Sequence, residues 1–138
     1  MSRQNISTGT KWEPKFGYSR AVRVGDEIRV SGTTATDDDG AVVAPNDPYE
    51  QATHIFDLIE SALEEAGASL ADVVRTRIFL TDIDDWEAVG TAHADAFGDV
   101  RPATSIVGVA ELLDPALVVE IEADAVVTDD TADESHSG

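Results

Sequence analysis

The sequence predicts one α+β domain: a sheet of five strands with two helices on one face. Short stretches in which apolar and polar residues alternate predict the strands. Two longer stretches with apolar residues every three or four positions predict the helices. With 138 residues, of which 42% are hydrophobic, the chain is long enough for one domain with a sizeable core.

The first two strands are predicted to form a hairpin. Residues 1 to about 16 are polar and irregular, and the turn lies at Gly25-Asp26-Glu27. A second turn is predicted at Asp37-Asp38-Asp39-Gly40. The apolar residues that flank the first turn are Val22, Val24, Ile28 and Val30.

A long helix follows, because Asp47 can cap its free N–H groups and Pro48 fits its first turn. Gly67 is predicted to end this helix. The apolar residues that recur at helical spacing are Ile55, Ile59, Ala62 and Leu63.

The third strand is predicted at residues 73–81. The side chains on its helix-facing side are predicted to be Val74, Thr76, Ile78 and Leu80. Those on the other face are predicted to be Arg75, Arg77 and Phe79. Asp84 is predicted to cap a second helix that ends near Gly98. Two more strands are predicted at about 104–110 and 117–127.

The last strand places Glu120, Glu122 and Asp124 on the face turned away from the helices. Arg75 and Arg77 share that open face, which predicts cross-strand pairs between arginines and acids. The rest of the open face must meet solvent or a partner subunit.

The charge balance limits the partners. The chain has 28 acidic and 9 basic residues and a net charge of −19, which argues against nucleic acid and against anionic membranes. The scarcity of lysine, present only at Lys11 and Lys15, predicts adaptation to high salt, where self-repulsion is screened.

The sequence contains no cysteine, which excludes disulfides and thiolate sites, and it contains no apolar run of about 20 residues for a membrane span. Its three histidines are too scattered for a metal-ligand set. We therefore expect a cytoplasmic protein without metal or cofactor, built as one domain over 1–127 with an acidic, disordered tail over 128–138.

Several motifs in order resemble the reactive-intermediate (imine/enamine) deaminase family, the Rid/YjgF proteins. The strongest are Arg101-Pro102-Ala103-Thr104-Ser105 and the later Val119-Glu120-Ile121-Glu122-Ala123. Weaker matches are Gly17-Tyr18-Ser19-Arg20-Ala21, Val30-Ser31-Gly32, Gln51-Ala52, Ala66-Gly67 and Thr81-Asp82-Ile83-Asp84-Asp85. The resemblance covers residues 12 to 127.

The resemblance implies a chorismate-mutase-like fold, a homotrimer whose open sheet faces form a central barrel, and clefts between subunits that hold small molecules. It implies hydrolysis of an imine or enamine by water, with Glu120 and Ser31 as catalytic residues and with Tyr18 and Gly32 binding the substrate. Thr104 occupies the position of the family's carboxylate-binding arginine, so Arg77 or Arg101 is a candidate substitute.

Each of these residues also has a purely structural interpretation. Tyr18 can be a packing residue, Ser31 a structural hydroxyl and Glu120 an ion-pair partner in the trimer. Arg77 can be an ion-pair residue, and Arg101 can have no role beyond offsetting the charge of nearby acids. Because Thr104 and Gly90 replace the family's usual arginine and asparagine, the alternative is a non-catalytic trimer that binds a small ligand or another protein.

Overall fold

The computed structural model describes residues 2–128, which form a single six-stranded sheet with three helices. The strands are β1 (Arg3–Ile6), β2 (Ala21–Val24), β3 (Glu27–Thr33), β4 (Val73–Leu80), β5 (Ala103–Gly108) and β6 (Val119–Val126). They pair in the order β1-β2-β3-β6-β4-β5. Only the β4–β5 pair is parallel among these strands.

Two long helices, α2 (Pro48–Glu65) and α3 (Trp86–Phe97), pack together on one face of the sheet. The apolar face of α2 meets the inward residues of the central strands, so the predicted architecture is confirmed. The largest fully buried apolar side chains include Ile28, Ile55, Ile59, Leu63, Ile78, Leu80 and Ile121.

Both predicted ends of α2 are confirmed. The Asp47 side chain accepts a hydrogen bond from the backbone N–H of Glu50 at 3.0 Å. After the helix, Gly67 has a φ of 87°, a left-handed conformation that glycine adopts without steric cost.

The prediction for the face of β4 is wrong at its first residues. A β-bulge lies between Val73 and Arg75, where the register to β6 shifts. The extra residue reverses the alternation at this point, so Val73 is buried and Val74 is 48% exposed. From Thr76 onwards the predicted alternation holds.

The predicted cap of the second helix is also wrong. Asp82, rather than Asp84, accepts a hydrogen bond from a backbone N–H, and its donor is Asp84 itself at 3.0 Å. A single 3-10 turn over Ile83–Asp85 intervenes, and α3 begins only at Trp86. Gly98 ends α3 as predicted.

The N-terminal residues are more ordered than the sequence predicts. The polar segment Arg3–Ile6 forms the edge strand β1, paired with β2, and Trp12–Phe16 forms the short helix α1. Glu13 on α1 is buried and accepts hydrogen bonds from Ser7 Oγ and Thr8 Oγ1 at 2.8 and 2.6 Å. The predicted disordered tail falls outside the described residues from position 129 onwards.

The open face of the sheet carries the predicted charges. Arg77 Nη1 lies 3.1 Å from Asp124 Oδ2 and 3.6 Å from Glu122 Oε1, which confirms the cross-strand pairing. Arg75 instead donates to Ser105 Oγ at 2.9 Å. Its Nε is the one buried side-chain polar atom without a hydrogen-bond partner within residues 2–128.

Candidate active site

The Glu120 carboxylate lies directly against Gly32, where β3 and β6 run side by side. A Cβ added to Gly32 would overlap Glu120 Oε2 and would lie 3.0 Å from Glu120 Cδ. β3 has a register irregularity between Val30 and Thr33, and Gly32 lies inside it. The missing side chain at position 32 therefore provides the space that the carboxylate occupies.

The electrostatic environment of Glu120 favours its protonated form. Burial raises the pKa of the Glu120 carboxyl above its ordinary value, and the neighbouring Glu122 raises it further. The positive charge of Arg20 partly offsets these effects. A carboxyl group whose pKa is moved toward neutrality can both accept and return a proton.

Ser31 fixes the loop that carries Tyr18. Its hydroxyl donates to the backbone carbonyl of Ser19 at 2.7 Å, and the Ser31 N–H donates to Arg20 O at 2.9 Å. Since the hydroxyl proton is used, the Ser31 oxygen remains as an acceptor. Tyr18 is 40% exposed, so its ring is available to a ligand at the end of the sheet.

Arg20 is a member of this group that the sequence analysis did not single out. Its Nη1 donates to Gly32 O at 2.9 Å and to Thr33 Oγ1 at 3.0 Å. Its Cζ lies 5.9 Å from the centroid of the Tyr18 ring. The arginine thus links Tyr18 and Gly32 with Ser31, whose N–H donates to the Arg20 carbonyl, and the resemblance implied all three. The signal in the sequence was its place within the Gly17–Ala21 motif, two residues after Tyr18.

Thr104 lies elsewhere, on the helix-covered side of β5. Its hydroxyl lies 2.8 Å from Thr76 Oγ1 and 3.3 Å from His93 Nε2, and it donates to Pro102 O at 3.1 Å. Thr76 Oγ1 is also 2.9 Å from His93 Nε2. Burial lowers the pKa of the His93 imidazole, so the three side chains form a neutral hydrogen-bonded cluster near pH 7.

Within one chain, therefore, the predicted site residues fall into separate groups. Glu120 contacts Gly32, and Arg20 connects Gly32 to Ser31 and Tyr18. Thr104 lies on the opposite side of the sheet, beyond β4. Arg77 is held by its two acidic partners on the open face. Arg101 is exposed in a loop with a φ of 50°, and its side chain makes no hydrogen bond or ion pair with residues 2–128.

No group of three His, Cys, Asp or Glu side chains that could hold a metal ion occurs in the part of the chain that the structure describes. Over the same residues, no helix is both long and apolar enough to cross a membrane.

Residues 8–127 match the family model described as Endoribonuclease L-PSP. The crystal structure of Rv2704 from Mycobacterium tuberculosis, described as a member of the YjgF/YER057c/UK114 family, is similar to this fold with a TM-score of 0.83. The two chains are 50% identical, over 91% of this chain and 100% of that chain. The chain belongs to the YjgF/Rid family.

Two relatives of the YjgF/Rid chain carry functional names. The 2-iminobutanoate/2-iminopropanoate deaminase of Dermatophagoides farinae is 33% identical over 122 residues, 88% of this chain and 94% of the relative. The 3-aminoacrylate deaminase RutC of Acinetobacter baylyi is 34% identical over 108 residues, 78% of this chain and 85% of the relative. The family resemblance and the chorismate-mutase-like fold predicted from the sequence are confirmed.

Proposed function

We propose that this YjgF/Rid protein hydrolyses a small imine or enamine without cofactor or metal, with Glu120 as its acid–base residue. The observation that carries the proposal is the half-buried Glu120 carboxyl, which lies against Gly32 and has a raised pKa. A carboxyl group in this state suits a reaction that needs a proton removed from water and then delivered to nitrogen.

The chemistry requires one water and no other reactant. Ionised Glu120 takes a proton from water while the oxygen bonds to the C=N carbon and the C=N double bond becomes single; protonated Glu120 then returns the proton to nitrogen. Glu120 next takes the proton of the new hydroxyl and delivers it to nitrogen as the C–N bond breaks, which releases ammonia, leaves a carbonyl group and restores the ionised carboxylate. The Ser31 oxygen, whose own proton is donated to Ser19 O, accepts a hydrogen bond from the water, and Tyr18 packs against the substrate.

We further propose that the site is completed in a homotrimer. The open sheet face carries Phe79 and Val107 beside the charged residues, and Val107 on the edge strand β5 is 45% exposed. An edge strand with exposed apolar residues is a surface that a partner would cover. In such an assembly Thr104 and Arg101 of a neighbouring subunit would face the Glu120 group, a contact that cannot form within one chain.

The names of the two relatives, an imine deaminase and an enamine deaminase, support deamination as the general reaction. The family description also names an endoribonuclease. The net charge of −19 weighs against that activity here, since a phosphate polymer is repelled by an acidic surface. A small-molecule substrate in the cytoplasm is the interpretation that we favour.

The test is the rate of ammonia release from two freshly generated substrates, 2-iminopropanoate and a 3-aminoacrylate-type enamine. The assay should be run at low and at molar KCl, because the acidic surface predicts a salt requirement. We expect release faster than the buffer rate for at least one substrate. No acceleration in any condition would exclude deaminase activity toward these substrates.

A non-catalytic ligand-binding or protein-interaction trimer is the second candidate, and a specific observation favours it. The Thr104 hydroxyl is bound into the cluster with Thr76 and His93 and offers no positive charge to a carboxylate. A thermal-shift screen of metabolites distinguishes the two candidates. A ligand that raises the melting temperature and is recovered unchanged supports binding, whereas its conversion supports the enzyme.

A further inference from the structure

We propose that Arg20, together with a cavity lined by threonines, binds the carboxylate of the small molecule on which this site acts. This assignment rests on the proposed function, because it takes the cavity at Arg20 to be the place where part of the substrate lies. It assigns the anion-binding role to the residue that immediately precedes β2. It does not assign this role to Thr104 or to the other candidate arginines, Arg77 and Arg101.

The first support is the way in which the Arg20 guanidinium is held. Both of its hydrogen bonds within residues 2–128 come from Nη1, to Gly32 O and to Thr33 Oγ1. The edge formed by Nε and Nη2 therefore has no partner among those residues. This edge presents two parallel N–H groups, which is the geometry that a carboxylate accepts with two hydrogen bonds. The fixed Nη1 reduces the entropy that the side chain would lose on binding.

The second support is the cavity that Arg20 lines. Its volume is about 160 Å³, which suits a small metabolite and not a drug-sized ligand. Five threonines contribute to its wall: Thr8, Thr10, Thr33, Thr34 and Thr36. The hydroxyls of Thr10, Thr34 and Thr36 make no hydrogen bond with the part of the chain that the structure describes, so they are available to the remaining polar atoms of a ligand.

The third support is the position of Arg20 relative to Glu120. The arginine charge acts on the Glu120 carboxyl and also on the buried Glu13 carboxyl, yet it forms an ion pair with neither within the described residues. Gly32 connects Arg20 to Glu120, because its carbonyl accepts from Arg20 while Glu120 lies against its Cα. Glu120 does not itself line the cavity, so the assignment requires a substrate that extends from Arg20 past Gly32 to the proposed acid–base group.

Two acidic residues at the same cavity sharpen the expectation. Asp37 and Asp38 also line it, and their charge opposes a simple anion. One oxygen of Asp37 is already engaged by the backbone N–H groups of Asp39 and Ala41, each at 2.9 Å. Any preference of the cavity for an anion must therefore come from Arg20, and removing its charge should abolish that preference.

The experiment compares pyruvate with pyruvamide, its uncharged analogue, by titration of the 15N-labelled protein followed by NMR. We expect the wild type to bind pyruvate more tightly. Arg20→Gln should raise the Kd for pyruvate by about ten- to a hundredfold, the range for hydrogen bonds to a charged group, and should leave pyruvamide unchanged. Arg20→Lys should lie between them, because it keeps the charge without the fork.

Arg3→Gln is the matched control, because Arg3 is exposed on the edge strand β1 and its side chain bonds only to Asn5 within residues 2–128. It should keep the wild-type Kd. If Arg20→Gln does not fold, the wild-type Nε–H resonance of Arg20 decides: it should shift with pyruvate and not with pyruvamide.

The assignment is wrong if the wild type does not bind pyruvate, if folded Arg20→Gln keeps the wild-type Kd, or if both ligands weaken equally. Pyruvate binding through Arg20 without ammonia release from either imine substrate would exclude the proposed hydrolysis alone and leave the anion site standing.

Discussion

Substitution of Gly32 by alanine tests the geometry of the candidate site. The new Cβ would lie 3.0 Å from Glu120 Cδ and 3.4 Å from Cγ, and it would overlap Oε2. Carbon atoms pack best at about 3.5–4.0 Å, so the carboxyl carbon must move by roughly 0.5–1 Å. A displacement of about 1 Å can reduce a rate by about a hundredfold, and we expect a loss of that size in ammonia release.

The stability of the variant should change much less than its activity. The overlap involves the end of a flexible side chain, so we expect a cost near the lower end of the usual range for overpacking, about 1 kcal/mol. This corresponds to a melting temperature lower by about 3–5 °C. The displaced carboxyl should also be better solvated, so the pKa of Glu120 measured by NMR should fall toward its ordinary value.

Gly108→Ala is the matched control in a strand. Its Cβ would meet the nearest atoms, both in Ile83, at 3.8 Å, which is ordinary van der Waals contact. Its rate should stay within about twofold of the wild type. Wild-type ammonia release by folded Gly32→Ala, or an equal loss in Gly108→Ala, would refute the close packing of Gly32 and Glu120 as a requirement for activity.

Three further predictions follow. Because the folded-state pKa of Glu120 is raised, its contribution to stability is present at low pH and is lost as the pH rises through that pKa. Urea unfolding should therefore show Glu120→Gln gaining stability relative to the wild type as the pH rises above the ordinary carboxyl value of 4.5. Thr104→Arg should raise kcat/KM for 2-iminopropanoate modestly, because it adds a second forked donor for the carboxylate. For the same reason it should partly restore the activity of Arg20→Gln. No gain in kcat/KM in the wild type or in Arg20→Gln would place Thr104 outside the site. Light scattering across a KCl series should show a trimer that is more stable at about 2 M than at about 10 mM salt; equal stability would contradict adaptation to high salt.

The sequence predicted most of the fold because its signals are local. Asp47 and Gly67 delimit α2 through capping and a left-handed φ, and the alternation in β6 places the acidic residues on the open face. The strand β1 was missed because Arg3–Ile6 lacks the apolar alternation that marks a strand; as an edge strand, it is exposed at all but Ile6. The bulge at Val74 leaves no local signal, since it depends on the register to β6.

The candidate site was predictable only in part. The family motifs indicated Tyr18, Ser31 and Glu120, whose neighbourhood the structure describes. The proposed anion-binding role of Arg20 depends on the hydrogen bonds that its guanidinium donates to Gly32 O and Thr33 Oγ1 on β3. No spacing in the sequence encodes these hydrogen bonds. The cluster of Thr76, Thr104 and His93 likewise depends on how α3 is rotated against β4 and β5.

The most direct test of the central claim is the kcat of Glu120→Gln for imine hydrolysis, with Glu64→Gln on the exposed side of α2 as its control. Glutamine keeps the shape of the side chain but can neither take nor return a proton. General acid–base catalysis contributes about 10²–10⁴-fold, so we predict a loss of at least about a hundredfold for Glu120→Gln and none for Glu64→Gln. A Glu120→Gln variant that hydrolyses the imine at the wild-type rate would contradict the account.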